Sequence, residues 1–168
     1  MKRLFKTYVV DALSFMAMGL FCSLILGLII KQIALIPGFD FLSDIAALLQ
    51  SAPVVGASIG LAIALGLKRA PLVTISAVAV GALGYRFGGP IGAYLASIVG
   101  VEAGSLVSKR TPVDIIITPL IATVAGGLFA KYCCAPVNDW VMSLGAVINR
   151  ATTLNPFIMG IVVSVSVG

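Results

Sequence analysis

The stretch GYRFGGPIGAYLASIVGVEAGSLVS, residues 84–108, decides the fold of this chain. Small residues that let a second helix backbone approach closely, as in membrane helix packing, recur in it at every fourth position. These residues are Gly84, Gly88, Gly92, Ala96, Gly100, Gly104 and Ser108. Because a period of four drifts around a helix of 3.6 residues per turn, we expect two packing partners, one along 84–92 and another along 96–108.

The composition supports a protein that lies in a membrane. Hydrophobic residues make up 60% of the chain and charged residues 10%, and the mean hydropathy is +1.16. A soluble domain has about 25% charged residues, so this chain cannot cover a water-exposed surface. The net charge of +5 lies in short basic pairs at the ends of apolar runs, without interleaved aromatic residues. We therefore predict the lipid bilayer as a partner and no nucleic acid.

Apolar runs with at most one charged residue each predict an all-α, polytopic transmembrane helical bundle with short or broken helices. We place spans at about 12–30, 52–67, 71–85, 89–108 and 113–130, with the start of a sixth at 156–168. A full span needs about 20 residues, and several of these runs are shorter and contain Gly or Pro, as in transporters whose helices break around a central site. Since the last run is too short to cross, we expect 1–168 to be one incomplete domain, half of a longer protein.

The basic residues predict the orientation, because Lys and Arg are enriched in cytoplasmic loops. With the N-terminus inside, seven basic residues lie on the inner side and four on the outer side. The inner ones are Lys2, Arg3, Lys6, Lys68, Arg69, Lys109 and Arg110, and the outer ones are Lys31, Arg86, Lys131 and Arg150. We therefore expect a cytoplasmic N-terminus.

Glu102 is the leading candidate for a functional residue. It is a lone carboxylate within a long apolar run, and such a residue is costly to bury and by default marks a functional site. It can bind the hydroxyl groups of a polar solute or carry a proton, or it can be a structural partner of Arg86 or of a neighbouring helix. By topology, the nearest partners are Asp114, Thr118 and Arg86.

Two further candidate solute-binding residues, Asp114 and Thr118, lie in the fifth predicted span. Thr111 can cap this helix, with Pro112 at its first position and Asp114 at its third, where a carboxylate favours the helix dipole. Alternatively, Pro119 kinks the helix and frees a backbone carbonyl beside Thr118, and the kink faces a solute.

The remaining candidates are Arg86 and Asn155. Arg86 can anchor the protein at the outer interface, or it can pair with Glu102 or with an anionic solute. Asn155 precedes Pro156 and caps the sixth helix, or that helix directs its N-terminus at an anionic group.

The sequence carries no motif of catalysis or metal binding. It has no histidine, and the spacing of Cys22, Cys133 and Cys134 does not suit a zinc site. Walker, Rossmann and nucleophile-elbow motifs are missing from it. We therefore predict no enzyme activity, no catalytic residue, no metal and no cofactor.

Three segments resemble the phosphotransferase-system IIC-like membrane proteins, and more narrowly the second IIC family, the sugar transporter IIC subunits. They are GLFCSLILGLIIKQIA (19–34), SKRTPVDIIITPLIATVAGG (108–127) and NPFIMGIVVSV (155–165). The resemblance implies a multi-pass protein of the bacterial cytoplasmic membrane that continues past residue 168. It also implies a permease for a small polar solute, classically a sugar phosphorylated during entry.

Three functions are compatible with these patterns. The first is a permease for a sugar or another small polar solute. The second is a non-transporting membrane sensor or regulator that binds a ligand or lipid. The third is a scaffold in which the glycine positions drive assembly, and a homodimer fits any of the three.

Overall fold

All regular elements in the described part of the chain are helices. The computed structural model describes residues 6–108, 110, 113–134, 136–137, 139–140, 142–143 and 145–146. A π-helical segment, Lys6–Asp11, leads directly into the first α-helix. The α-helices are α1, Ala12–Ile33, with a π-helical middle at Phe21–Ile25; α2, Leu42–Leu49; α3, Ala52–Gly66; α4, Pro71–Val107; and α5, Asp114–Phe129, which continues as a π-helix over Ala130–Cys134.

These helices confirm the predicted all-α membrane architecture. Three of them, α1, α4 and α5 with its extension, are long and apolar enough to cross a membrane. The pair α2 and α3, bent by 57°, makes a fourth span if the two are counted together. The predicted boundary of the first span falls three residues short of Ile33. The sixth predicted run, 156–168, lies outside the described residues.

Helix α4 folds back on itself at two glycines. Gly88 (φ −136°, ψ 16°) and Gly89 (φ 58°, ψ −153°) leave the helical conformation, and the backbone of Gly89 is one that only glycine adopts readily. A Cβ placed on Gly84 would lie 2.6 Å from the carbonyl oxygen of Gly92 and 2.8 Å from the Cβ of Ala96. In a straight helix residues 84 and 96 would be about 18 Å apart. The third and fourth predicted spans are therefore the two antiparallel arms of a hairpin, residues 71–87 (the first arm) and 90–107 (the second arm).

Close helix contacts build the core around the hairpin. Gly56 and Gly60 of α3 lie against Gly81 and Ala77 of the first arm, so that two backbones meet without side chains between them. Such contacts give membrane helices their packing energy. Two clusters of buried side chains flank the contact: Val55, Ile59, Ile63 and Ala93, and Ala64, Val73, Ala77 and Val101.

The small residues of 84–108 have the two partners that their spacing predicts, but the partners are divided differently. The first arm packs on this stretch through Gly84 against Gly92 and through Val80 against Gly100. Helix α5 and its extension pack through Ala122 on Gly100 and Gly104, and through Cys134 on Gly88 and Gly92. Each partner thus contacts small residues from both 84–92 and 96–108, because the reversal at Gly88 and Gly89 places the first arm antiparallel to the second.

These pairings define two ends of the bundle. Gly56 of α3 lies beside Gly81, near the hairpin tip, and Gly60 lies beside Ala77, farther from it. The end of α3, the start of the first arm and the end of the second arm therefore lie together. We call this the Arg69 end, and the end at Gly88 and Gly89 the tip end.

Candidate functional site

Glu102 lies in a polar cluster at the Arg69 end. The Tyr8 hydroxyl donates a hydrogen bond of 2.7 Å to Oε1 of Glu102. The Arg69 guanidinium forms an ion pair with the same oxygen, and its Nη2 also donates to the Tyr8 hydroxyl at 3.2 Å. Three separate elements therefore meet at one carboxylate: the N-terminal π-helical segment, the α3–α4 turn and the second arm.

The turn between α3 and α4 places Arg69 in this cluster. Helix α3 ends at Gly66, and Lys68 adopts a left-handed conformation with φ 52°. The Arg69 amide then donates to the carbonyl of Ala64 at 3.3 Å, which closes the helix end, and Pro71 begins α4. Because the turn is this short, Arg69 stays beside the hairpin and can reach the second arm.

A second tyrosine holds the N-terminal segment on the hairpin. The Tyr94 hydroxyl, on the second arm, donates a hydrogen bond to the main-chain carbonyl of Tyr8. Burial, together with the hydrogen bond to Glu102 and its negative charge, raises the pKa of Tyr8 above its ordinary value. The Tyr8 hydroxyl therefore stays protonated at neutral pH and remains a hydrogen-bond donor.

The cluster combines the groups that recognise polar solutes. It offers a carboxylate that accepts hydrogen bonds, and a guanidinium and a phenol that donate them. The side chains of Arg69 and Glu102 are 28% and 33% exposed, so the ion pair is not sealed inside the bundle. The Nε of Arg69 is buried and has no hydrogen-bond partner among the described residues. The exposed parts of both charged side chains can thus form further bonds to a bound molecule.

Arg86, one of the alternative partners suggested for Glu102, does not pair with it. Arg86 is exposed and lies two residues before the helix break, at the tip end, whereas Glu102 lies near the Arg69 end. The partner of Glu102 is Arg69. The charge pattern of the sequence assigns Arg69 only to the positively charged inner loops. The Gly88–Gly89 pair is the sequence signal that could have predicted Arg69 as the partner, because a hairpin with its tip there brings residues near 70 beside residues near 107.

Asp114 and Thr118 bind each other and not Glu102. Helix α5 begins at Asp114, with Val113 before it, so Asp114 is the first residue of the helix and not the third. The Thr118 hydroxyl, which is fully buried, donates to Oδ1 of Asp114. The carboxylate thus satisfies a buried hydroxyl one turn farther along α5. Thr111, Pro112 and Asn155 lie outside the described residues.

A metal site does not emerge from the described part of the chain. There, no three His, Cys, Asp or Glu side chains come close enough to hold a metal ion.

The comparison with protein families agrees with this architecture. Residues 10–168 match the family described as "Phosphotransferase system, EIIC", and Arg69 and Glu102 lie within the matched range. No curated protein and no solved structure matches the chain. EIIC proteins are membrane-embedded transporter subunits, in keeping with the apolar helices described above. The chain belongs to the phosphotransferase system EIIC family.

Proposed function

We propose that this protein is a permease subunit that moves a sugar or another small polar solute across the bacterial cytoplasmic membrane. The observation that supports it most is the partly exposed pair of Arg69 and Glu102, which lies at one end of a bundle of largely apolar helices. Charged residues within such a bundle are costly and mark solute paths.

The chemistry of the cluster suits a molecule with several hydroxyl groups. A sugar hydroxyl both donates and accepts hydrogen bonds, so it can donate to the Glu102 carboxylate while it accepts from Arg69 or Tyr8. A site built from such groups strongly rejects analogues that lack the hydroxyl, because its own polar groups are then left unpaired. Specificity for polyhydroxylated solutes follows from this arrangement.

The internal ion pair also provides a way to exchange partners. In this structure Glu102 accepts bonds from Tyr8 and Arg69. A solute that binds the carboxylate takes the place of one of these donors, and the displaced donor can bond to another solute hydroxyl. The exchange keeps each buried polar group paired, which limits the cost of moving a polar molecule past the cluster.

We place this cluster at the cytoplasmic mouth of the permease. Its support is the excess of basic residues on that side of the sequence, which favours a cytoplasmic N-terminus and a cytoplasmic Lys68 and Arg69. In this orientation the hairpin tip at Gly88 and Gly89 points toward the outer surface, and Arg86 lies with it.

Binding of sugars to the purified full chain tests the proposal. A panel of hexoses and hexitols would be titrated by calorimetry, with wild-type protein, Glu102→Gln and Arg86→Gln. Hydrogen bonds to charged groups contribute about 1.5–3 kcal/mol, so Glu102→Gln should weaken binding of the preferred sugar roughly 10- to 100-fold. Arg86→Gln, at the opposite end of the bundle, should bind like wild type.

Two results would contradict the proposed role of Glu102. One is equal affinity in wild type and Glu102→Gln, and the other is an equal loss of affinity in both variants. Thermal unfolding of each variant separates a loss of binding from a loss of folding, because Glu102→Gln keeps the size and hydrogen-bonding capacity of the side chain.

A further inference from the structure

An apolar groove runs along the periphery of the bundle between α1 and α3. The two helices cross closely at Gly19, where an added Cβ would lie 2.7 Å from the Ser58 carbonyl oxygen. A cavity of about 300 Å³ follows this crossing. Its walls are almost entirely apolar: Phe15, Met18, Gly19 and Cys22 from α1, and Ser58, Leu61, Ala62 and Leu65 from α3.

The groove opens sideways, toward the lipid, along most of its length. Met18 and Leu65 are 58% and 60% exposed, and Cys22 is also exposed. The ring of Phe15 lies against Gly66 and bounds the groove toward the Arg69 end. An acyl chain of matching shape that lies in the groove makes dispersion contacts along its walls.

The depth of the groove corresponds to one leaflet of the bilayer. Phe15 lies four residues after Asp11, near the Arg69 end, and Cys22 lies about 10 Å farther along α1. Half of the hydrocarbon core is about 15 Å thick. The groove therefore begins near the membrane surface on the Arg69 side and ends near the bilayer centre, which is the depth of an acyl chain.

A lysine lies just beyond the groove. Lys68 is exposed and follows Leu65 by three residues. Among the described residues the only salt bridge is that of Arg69 with Glu102, so the positive charge of Lys68 is available to a ligand. Asp11 lies at the same end but forms no salt bridge with Lys68. The free charge of Lys68 therefore favours an anionic headgroup.

We infer that this groove is a binding site for an anionic phospholipid of the bilayer, with one acyl chain between α1 and α3 and the headgroup at Lys68. Since lipid tails are as apolar as leucine, the acyl chain gains shape complementarity rather than a hydrophobic driving force. Selectivity comes from the charge, because a lysine near the surface favours an anionic lipid about fivefold. Basic sites between membrane helices bind such headgroups in the same way.

Native mass spectrometry of the full chain in detergent tests the charge selectivity. Phosphatidylglycerol and phosphatidylcholine with identical acyl chains would be titrated separately. We expect wild type to bind the phosphatidylglycerol about fivefold more tightly and Lys68→Gln to bind both alike. Arg110→Gln removes an exposed charge from the same end of the bundle and should keep the preference. Equal binding of both lipids by wild type would overturn the inference.

The thiol of Cys22 reports whether the lipid lies in the groove. In a Cys133→Ser background, phosphatidylglycerol should slow alkylation of Cys22 by an apolar maleimide several-fold. Ala62→Phe fills the groove and should abolish the lipid dependence, whereas Ala79→Phe, at an exposed position of the first arm, should keep it.

Two outcomes of the thiol experiment would overturn the inference. One is protection by lipid that persists in Ala62→Phe. The other is a disulfide between the Cys22 residues of two copies that forms regardless of lipid, because a second copy would then occupy the groove. Lys68→Gln keeps the inference testable if Ala62→Phe fails to fold.

Discussion

Gly84→Ala tests the folded-back hairpin, because this glycine contacts the second arm only if α4 reverses at Gly88 and Gly89. The new Cβ would lie 2.6 Å from the Gly92 carbonyl oxygen and 2.8 Å from both the Ala93 Cα and the Ala96 Cβ. Two of these three atoms belong to the backbone and cannot turn away. The arms must separate by roughly 0.8 Å to restore ordinary contact distances of about 3.4 Å, which also loosens the neighbouring contacts.

The magnitude follows from two opposing effects. Overpacking a well-packed core costs about 1–3 kcal/mol. Replacing glycine with alanine inside a helix gains up to about 1 kcal/mol of helix propensity. Gly127→Ala is the matched control, since its Cβ would meet a single atom, the Leu83 Cδ1, at 3.4 Å. It keeps the propensity gain without the clash, so we expect Gly84→Ala to be about 1–3 kcal/mol less stable than Gly127→Ala.

Unfolding of the full chain in detergent micelles, titrated with a denaturing detergent and followed by circular dichroism, measures this difference. Equal stability of Gly84→Ala and Gly127→Ala would refute the hairpin. In a straight helix over 71–107, Gly84 would have no second arm beside it, and the substitution would stabilise the protein through propensity alone.

Three further predictions concern the tip, the cluster and the orientation. Gly89→Ala should destabilise the protein by about 1–3 kcal/mol in the same assay, because φ 58° with ψ −153° strains any residue with a Cβ. The raised pKa of Tyr8 means that its contribution to stability is complete below its ordinary pKa of 10.0 and is lost as pH rises through the folded-state value. Thermal unfolding of wild type at increasing alkaline pH should show this loss, and Tyr8→Phe should reduce it. The thiol introduced by Lys68→Cys should react with an impermeant reagent only from the cytoplasmic side, and labelling from outside would reverse the proposed orientation.

The helices could be predicted from the sequence because each apolar run depends mainly on its own residues. The second predicted span, 52–67, differs from α3 by one residue, because Pro53 marks its start and the basic residues Lys68 and Arg69 follow its end. The reversal at Gly88 and Gly89 could also be located between the predicted spans 71–85 and 89–108, because two glycines followed by a proline favour a break in a helix. Asp114 shows the limit of local signals, as α5 begins two residues later than Thr111 and Pro112 suggest.

The partners of Glu102 could not be predicted from each apolar run by itself, because Arg69 is found only after α4 is folded back at Gly88 and Gly89, and Tyr8 only after the N-terminal segment is placed. Arg69 and Tyr8 are 33 and 94 residues away from it in the chain. Their meeting depends on the fold-back of α4 and on how the N-terminal segment crosses the bundle, and neither is encoded in the period of a single helix. A charge count assigns Arg69 to the membrane surface and gives Tyr8 no role. Long-range contacts of this kind become visible only once the arms are placed side by side.

Solute exchange in proteoliposomes tests the central claim most directly. The full chain would be reconstituted in vesicles loaded with unlabelled sugar, and entry of the same sugar in radiolabelled form would be followed over time. We predict that wild type gives rapid exchange of one preferred sugar, that Arg86→Gln exchanges it at the same rate, and that Glu102→Gln is slowed roughly 10-fold or more. Sugar binding without exchange by wild type would contradict the permease function and identify a sensor, and exchange by Glu102→Gln at the wild-type rate would remove the cluster from the transport path.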